Sequence, residues 1–147
     1  MAFKPQIRGL DKTISDLKKF GNKSEEALNT ALETTAFDMV DKAVSLVVVD
    51  TGKLKQSIRV VTVSESNFIV EAGGGVAPYA PYIEFGTGGL VDVPKEFDEQ
   101  ARRALGKGIK QVNLPPRPYM YPTLIYGRKQ IEINLKKEIE QLTKAFK

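Results

Sequence analysis

Glu84 is the side chain best placed to do chemistry in this sequence of 147 residues. It lies in the run Tyr79-Ala80-Pro81-Tyr82-Ile83-Glu84-Phe85-Gly86-Thr87-Gly88, and a carboxylate set among aromatic rings can be desolvated until its pKa rises. General acid–base work on paired carboxylates needs a second one within reach. The next in sequence, Asp92, stands eight positions on, past a glycine-rich run. The stronger reading is a structural carboxylate that accepts hydrogen bonds from backbone amides or from an arginine, because such networks also perturb carboxylates. The run holds no nucleophile–base pair. Its glycine clusters, Gly73-Gly74-Gly75 behind and Gly86 to Gly89 ahead, let backbones approach closely. With tyrosines that each need a hydroxyl partner, this suits a fixed protein–protein contact or a sharply folded core element.

The other candidates weaken on inspection. A phosphate cradle needs a strand, a fixed glycine spacing and a Lys-Ser or Lys-Thr pair opening a helix, and neither glycine cluster has them. Asp50-Thr51-Gly52 reads as a turn, with the aspartate bonding its own backbone and the glycine taking the unusual dihedral. Arg128, Lys129, Lys136, Lys137, Lys144 and Lys147 alternate with Glu132, Glu138 and Glu140, and mixed signs mark a solvated or salt-bridged face more than a phosphate track. Tyr119, Met120 and Tyr121, between prolines, fit an exposed anchor and a core plug equally well.

Composition narrows the classes further. There is no cysteine and no histidine, which removes thiolate chemistry, disulfides and the commonest general acid–base and metal ligand. A net charge of +4 is less than a dedicated nucleic-acid binder usually carries. No apolar run approaches the roughly 20 residues of a membrane span, and Met1 to Leu10 lacks the apolar core of a secretory signal. The sequence reads as a soluble protein left in a cytoplasm or built into a particle assembled there, as one domain over residues 1–147.

The elements that must position these residues follow from periodicity. Leu10, Ile14 and Leu17 predict a first helix ending at Gly21. A second, capped by Asn22 or Ser24, runs about six turns with the stripe Leu28, Ala31, Leu32, Thr35, Met39, Ala43 and Val47. Val47-Val48-Val49 ends it in extended chain. A short helical turn over 53–57 leads into a hairpin, Ile58 to Ser64 and Phe68 to Ala72 around Glu65-Ser66-Asn67. An inserted arm occupies about 89–113, with a short helix starting at Pro94. Pro122 opens a last helix carrying Leu124, Ile131, Leu135, Ile139, Leu142 and Phe146. The fold class is therefore α+β: two N-terminal helices and a long C-terminal helix packed on a small antiparallel β-sheet.

Three ordered segments carry a resemblance. Val49-Asp50-Thr51-Gly52-Lys53-Leu54 running to Ser57-Ile58, then Tyr79 to Gly88, then Pro116-Arg117-Pro118-Tyr119-Met120 with Pro122-Thr123-Leu124 together resemble the neck or tail-completion family of long-tailed bacteriophages, of which the minor tail protein Z of phage lambda is a more distant relative. Asp50, Thr51, Gly52 and Leu54 match its first signature. Tyr79, Ala80, Tyr82, Glu84, Phe85, Gly86 and Thr87 match the second, and Arg117, Pro118, Met120, Pro122 and Leu124 the third. Tyr119 stands where phenylalanine is usual, Thr123 where alanine is usual, and the arm exceeds the family's minimal loop. The resemblance implies a non-enzymatic virion part without cofactors, assembled in the host cytoplasm and placed at the head–tail junction. It implies a homo-oligomeric ring, a hexamer by preference, in contact with head-closure, tail-terminator and tail-tube proteins, through which genomic DNA passes without sequence-specific binding and with no membrane partner. A tail-terminator or head-closure role is the nearest alternative. A small DNA-binding protein using the last helix, or an enzyme centred on Glu84, is the rival from another class.

Overall fold

The computed structural model describes residues 2–3, 21–48, 52–97 and 112–145. The expected first helix, Asp50 and Thr51 of the first signature, and residues 98–111 of the arm lie outside them. The elements are β1 (Ala2–Phe3), α1 (Asn22–Leu46), α2 (Lys53–Ser57), β2 (Arg59–Ser64), β3 (Asn67–Gly73), α3 (Ala80–Phe85), a single 3-10 turn (Gly88–Leu90) and α4 (Met120–Ala145). The fold is α+β, as the periodicity predicts.

α1 forms because Leu28, Ala31, Thr35, Met39 and Ala43 fall on one face and are buried together. Its N-cap is Gly21 at φ 91°, one position before Asn22, the first of the two expected caps. Val47 closes the helix in extended conformation, as expected where β-branched residues follow one another. Gly52, left-handed at φ 75°, sets the direction of α2. There the Ser57 hydroxyl donates to the Leu54 carbonyl at 2.6 Å and accepts from the Gly73 amide at 2.9 Å, so a single oxygen joins α2 to the end of β3.

β2 and β3 pair antiparallel, Arg59 opposite Glu71 and Val61 opposite Ile69, with an irregularity between Thr62 and Ser64. β1 adds to the other edge of β3. The Arg59 guanidinium lies 2.6 Å from the buried Glu71 carboxylate across the pair, which supplies that buried charge with a partner.

α4 begins at Met120, two residues before the expected Pro122, and its 26 residues span about 39 Å at 1.5 Å per residue. Its main partner is α1. Asn134 faces Thr35 and Asp38, Gly127 faces Met39, and the Lys42 ammonium lies 5.7 Å from the Tyr126 ring centroid. Numbers rise along α1 as they fall along α4, so the helices run antiparallel. One continuous core joins α1 (Met39, Ala43), Val47, Leu54, Ile58, β3 (Val70, Ala72), α3 (Ala80, Phe85), Phe97 and the start of α4 (Tyr119, Met120).

Inside the α1–α4 contact lies a polar seam that the apolar periodicity does not reveal. The Asn134 amide donates to Thr35 Oγ1 and Asp38 Oδ2, both at 3.0 Å, while its oxygen accepts from Gln130 at 3.3 Å. Thr35 in turn donates to the Ala31 carbonyl at 2.7 Å. Asn134→Ala is expected to cost about 1–2 kcal/mol, the usual loss when buried polar groups are left without partners. A fall in the urea midpoint at unchanged slope checks it; an unmoved midpoint means that the seam adds nothing.

Candidate functional site

The second and third signatures meet in one place, and α3 organises it. Tyr79 is its N-cap, Pro81 sits in its first turn where no amide is needed, and Gly86 closes it at φ 77°, ψ −175°. The Tyr79 carbonyl accepts from the amides of Tyr82 at 3.0 Å and Ile83 at 3.3 Å, and the Tyr82 carbonyl accepts from Gly86 at 3.0 Å. That turn aims Glu84 into the core, where it is 1% exposed.

Glu84 Oε2 accepts from the backbone amides of Tyr119 at 2.7 Å and Met120 at 2.8 Å, and Oε1 accepts from Tyr121 at 2.8 Å. These are the first amides of α4. An α-helix leaves its first four N–H groups without internal partners, and at this end the fourth position is Pro122, which has none to offer. One carboxylate and one proline therefore settle the whole N-terminus. The negative charge also stands at the positive end of the helix dipole. Burial pushes the Glu84 carboxyl above the ordinary carboxylate range, while the amide donors of Met120, Tyr119 and Tyr121 pull it back.

Tyr119, fully buried, places its hydroxyl 3.5 Å from the Ala80 carbonyl. Burial first, then the charges of Glu84 and Tyr79, push that phenol far above its usual range, so it stays a neutral donor. Thr123 donates to the Tyr119 carbonyl at 2.6 Å. Tyr119 and Met120 are thus the core plug rather than the exposed anchor.

The chain just before α4 runs back alongside α3. The Arg117 amide donates to the Ile83 carbonyl at 2.8 Å, and the Thr87 amide to the Leu114 carbonyl at 3.0 Å. The Thr87 hydroxyl donates to the Val112 carbonyl and accepts from the Leu114 amide at 3.0 Å. The Gly89 amide donates to the Asn113 side-chain oxygen at 2.9 Å. The arm is pinched shut at its base. Its outgoing limb is held by Asp92, whose amide donates to the Phe85 carbonyl at 2.9 Å. Phe97 meets Phe85 edge-on at 5.0 Å and tilts against Tyr121 at 5.8 Å. Thr87→Val deletes both hydroxyl bonds at nearly constant volume. It is expected to cost about 1–2 kcal/mol and to speed amide exchange at Leu114, and exchange at the wild-type rate would contradict the pinch.

Tyr82, Glu84, Phe85, Gly86, Thr87, Tyr119 and Met120 are brought together here, with Arg117 joined through its backbone and Pro118 exposed beside it. Leu54 belongs to the same core; Gly52 stands apart at the start of α2. Sequence reasoning missed Val112, Asn113 and Phe97 as parts of the site. One signal was there to read: the residue before α4 is a tyrosine rather than a capping Ser, Thr, Asp or Asn, so the cap has to come from elsewhere in the chain. Chemically the arrangement is a lock. Both Glu84 oxygens are taken by amides, and no three His, Cys, Asp or Glu side chains gather to hold a metal among the described residues.

Residues 11–86, just over half of the chain, match the family model described as "Bacteriophage HK97-gp10, putative tail-component". The chain belongs to that family of phage tail components. No curated protein and no solved structure gives a significant match. The matched span of this tail component runs through α1, the hairpin and α3 and stops at Gly86. The capped N-terminus of α4 lies beyond it, tied to the family's span through Glu84.

Proposed function

We propose that this tail component completes or joins the tail at the head–tail junction, as a homo-oligomeric ring around the DNA channel, with a hexamer preferred to match the tail. The observation that carries this reading is membership of a phage tail-component family. The geometry supports it in two ways. A head-to-tail contact that closes under rotation needs two different faces on one subunit. The α1–α4 helix pair supplies one, and the pinched arm with α3 the other. Both faces adjoin a lock in which the buried Glu84 carboxylate is taken up by backbone amides, as suits a rigid part. Its partners are further copies of itself and the neighbouring neck and tail proteins. DNA passes the ring without sequence readout, in keeping with the mixed charges along α4.

Deleting the coding sequence tests this. DNA-filled heads and finished tails that fail to join are expected, with joining restored when the chain is supplied in trans. Tails of uncontrolled length would identify a tail terminator instead, and heads that leak DNA a head-closure protein. Intact infectious particles would contradict all three.

A further inference from the structure

The outer face of α1 is acidic around an exposed ring. Glu26, Thr30, Glu33, Phe37 and Asp41 recur every three or four residues and all are exposed, Phe37 by 55%. None of the three carboxylates has a cationic partner among the described residues. Phe37 is the one large apolar side chain of this stripe, with Glu33 before it and Asp41 after it along the helix. Such a face is complementary in charge to a basic, partly apolar partner.

The chain carries a segment of that chemistry. Ala101 to Gln111 holds Arg102, Arg103, Lys107 and Lys110 with no carboxylate, together with Leu105 and Ile109. It lies within the arm, between limbs anchored at the buried Phe97 and at Val112, which Thr87 binds. Phe97 sits in the same core that α1 covers with Met39 and Ala43, so the outer face of α1 looks away from the arm's own base.

We propose that the acidic outer face of α1 is the docking surface for the Ala101–Gln111 segment of a second copy of this chain. The proposal rests on the ring reading above and names its subunit contact. Arm and face are different surfaces of one subunit, so the contact repeats head to tail and can close a ring. Phe37 takes the apolar side chains, while the charges fix register and partner and make assembly sensitive to salt.

Charge reversal tests it in cells infected with phage lacking this gene. The face variant is E26K/E33K/D41K, and the arm variant is R102E/R103E/K107E. Either alone is expected to lower the yield of joined particles at least tenfold relative to wild type, with an unchanged circular dichroism spectrum. Supplied together they are expected to restore it, since in an alternating ring every reversed arm meets a reversed face. Rescue by each variant as complete as by wild type would overturn the contact and leave the ring reading standing. Co-expression no better than either variant alone would place the contact within a subunit and overturn it too. Normal particles from the deletion phage with nothing supplied would overturn the ring reading itself, and the contact with it.

Discussion

Glu84→Ala is expected to lower the unfolding free energy by about 3–6 kcal/mol, the cost of leaving buried amides with no acceptor. The carboxylate is 1% exposed and receives the N–H groups of Tyr119, Met120 and Tyr121 within 2.8 Å, so its removal takes the acceptor from three backbone donors. Small domains have about 5–15 kcal/mol in total, and this loss leaves the protein close to its folding threshold. Glu84→Gln keeps the shape and gives the measurable intermediate. One amide oxygen still accepts, but its NH2 now faces a backbone N–H, and a cost of about 2 kcal/mol follows from the lost charge-assisted bonds. Urea unfolding gives both values, and amide exchange at Tyr119 to Tyr121 should accelerate before the rest of α4. A loss below about 1 kcal/mol for Glu84→Ala would show that the lock is not what holds α3 to α4.

Gly86→Val is expected to be comparably damaging, by about 2–6 kcal/mol, for an independent reason. Its φ of 77° with ψ of −175° belongs to a region that essentially only glycine occupies. A Cβ there would stand 2.6 Å from the Leu114 carbonyl oxygen and 2.9 Å from the Pro116 nitrogen. Both are backbone atoms of the segment that closes the arm, and the Leu114 oxygen is itself held by the Thr87 amide. Gly86→Ala should therefore lose nearly as much as valine. Gly89 is the control, because its nearest neighbour to an added Cβ is Asn113 Oδ1 at 3.8 Å. Gly89→Ala is expected to stay within about 0.5 kcal/mol of wild type. Equal urea midpoints for Gly86→Val and Gly89→Ala would contradict the close approach.

Local order was legible where the physics is local. The α1 stripe ending at Val47, the turn of Lys53–Ser57 after Gly52, and the hairpin around Glu65-Ser66 each follow from residues a few positions apart. The α4 stripe is equally clear, although its first turn begins at Met120 because the cap is remote. A proline is tolerated at the third helical position, so Pro122 does not have to mark the start. α3 was not legible as a helix. Six residues containing a proline and bounded by glycine clusters show too little periodicity to separate helix from turn. The acceptor role of Glu84 was one of the alternatives open from sequence, but its donors are 35 to 37 positions away, and no spacing rule reaches that far. The same holds for Asn134 and Thr35, 99 positions apart. The signatures were recognisable one by one; that Glu84 of the second caps the helix opened by the third is a fact of packing.

The most direct test of the neck assignment is averaged cryo-electron microscopy of intact particles, with this fold fitted into the density at the head–tail junction. A closed ring of this chain between the head-closure layer and the first tail-tube disc, α1 of each subunit facing the arm of the next, is the expected result. The same chain found along the tail tube or at the tail tip, or missing from finished virions, would contradict it.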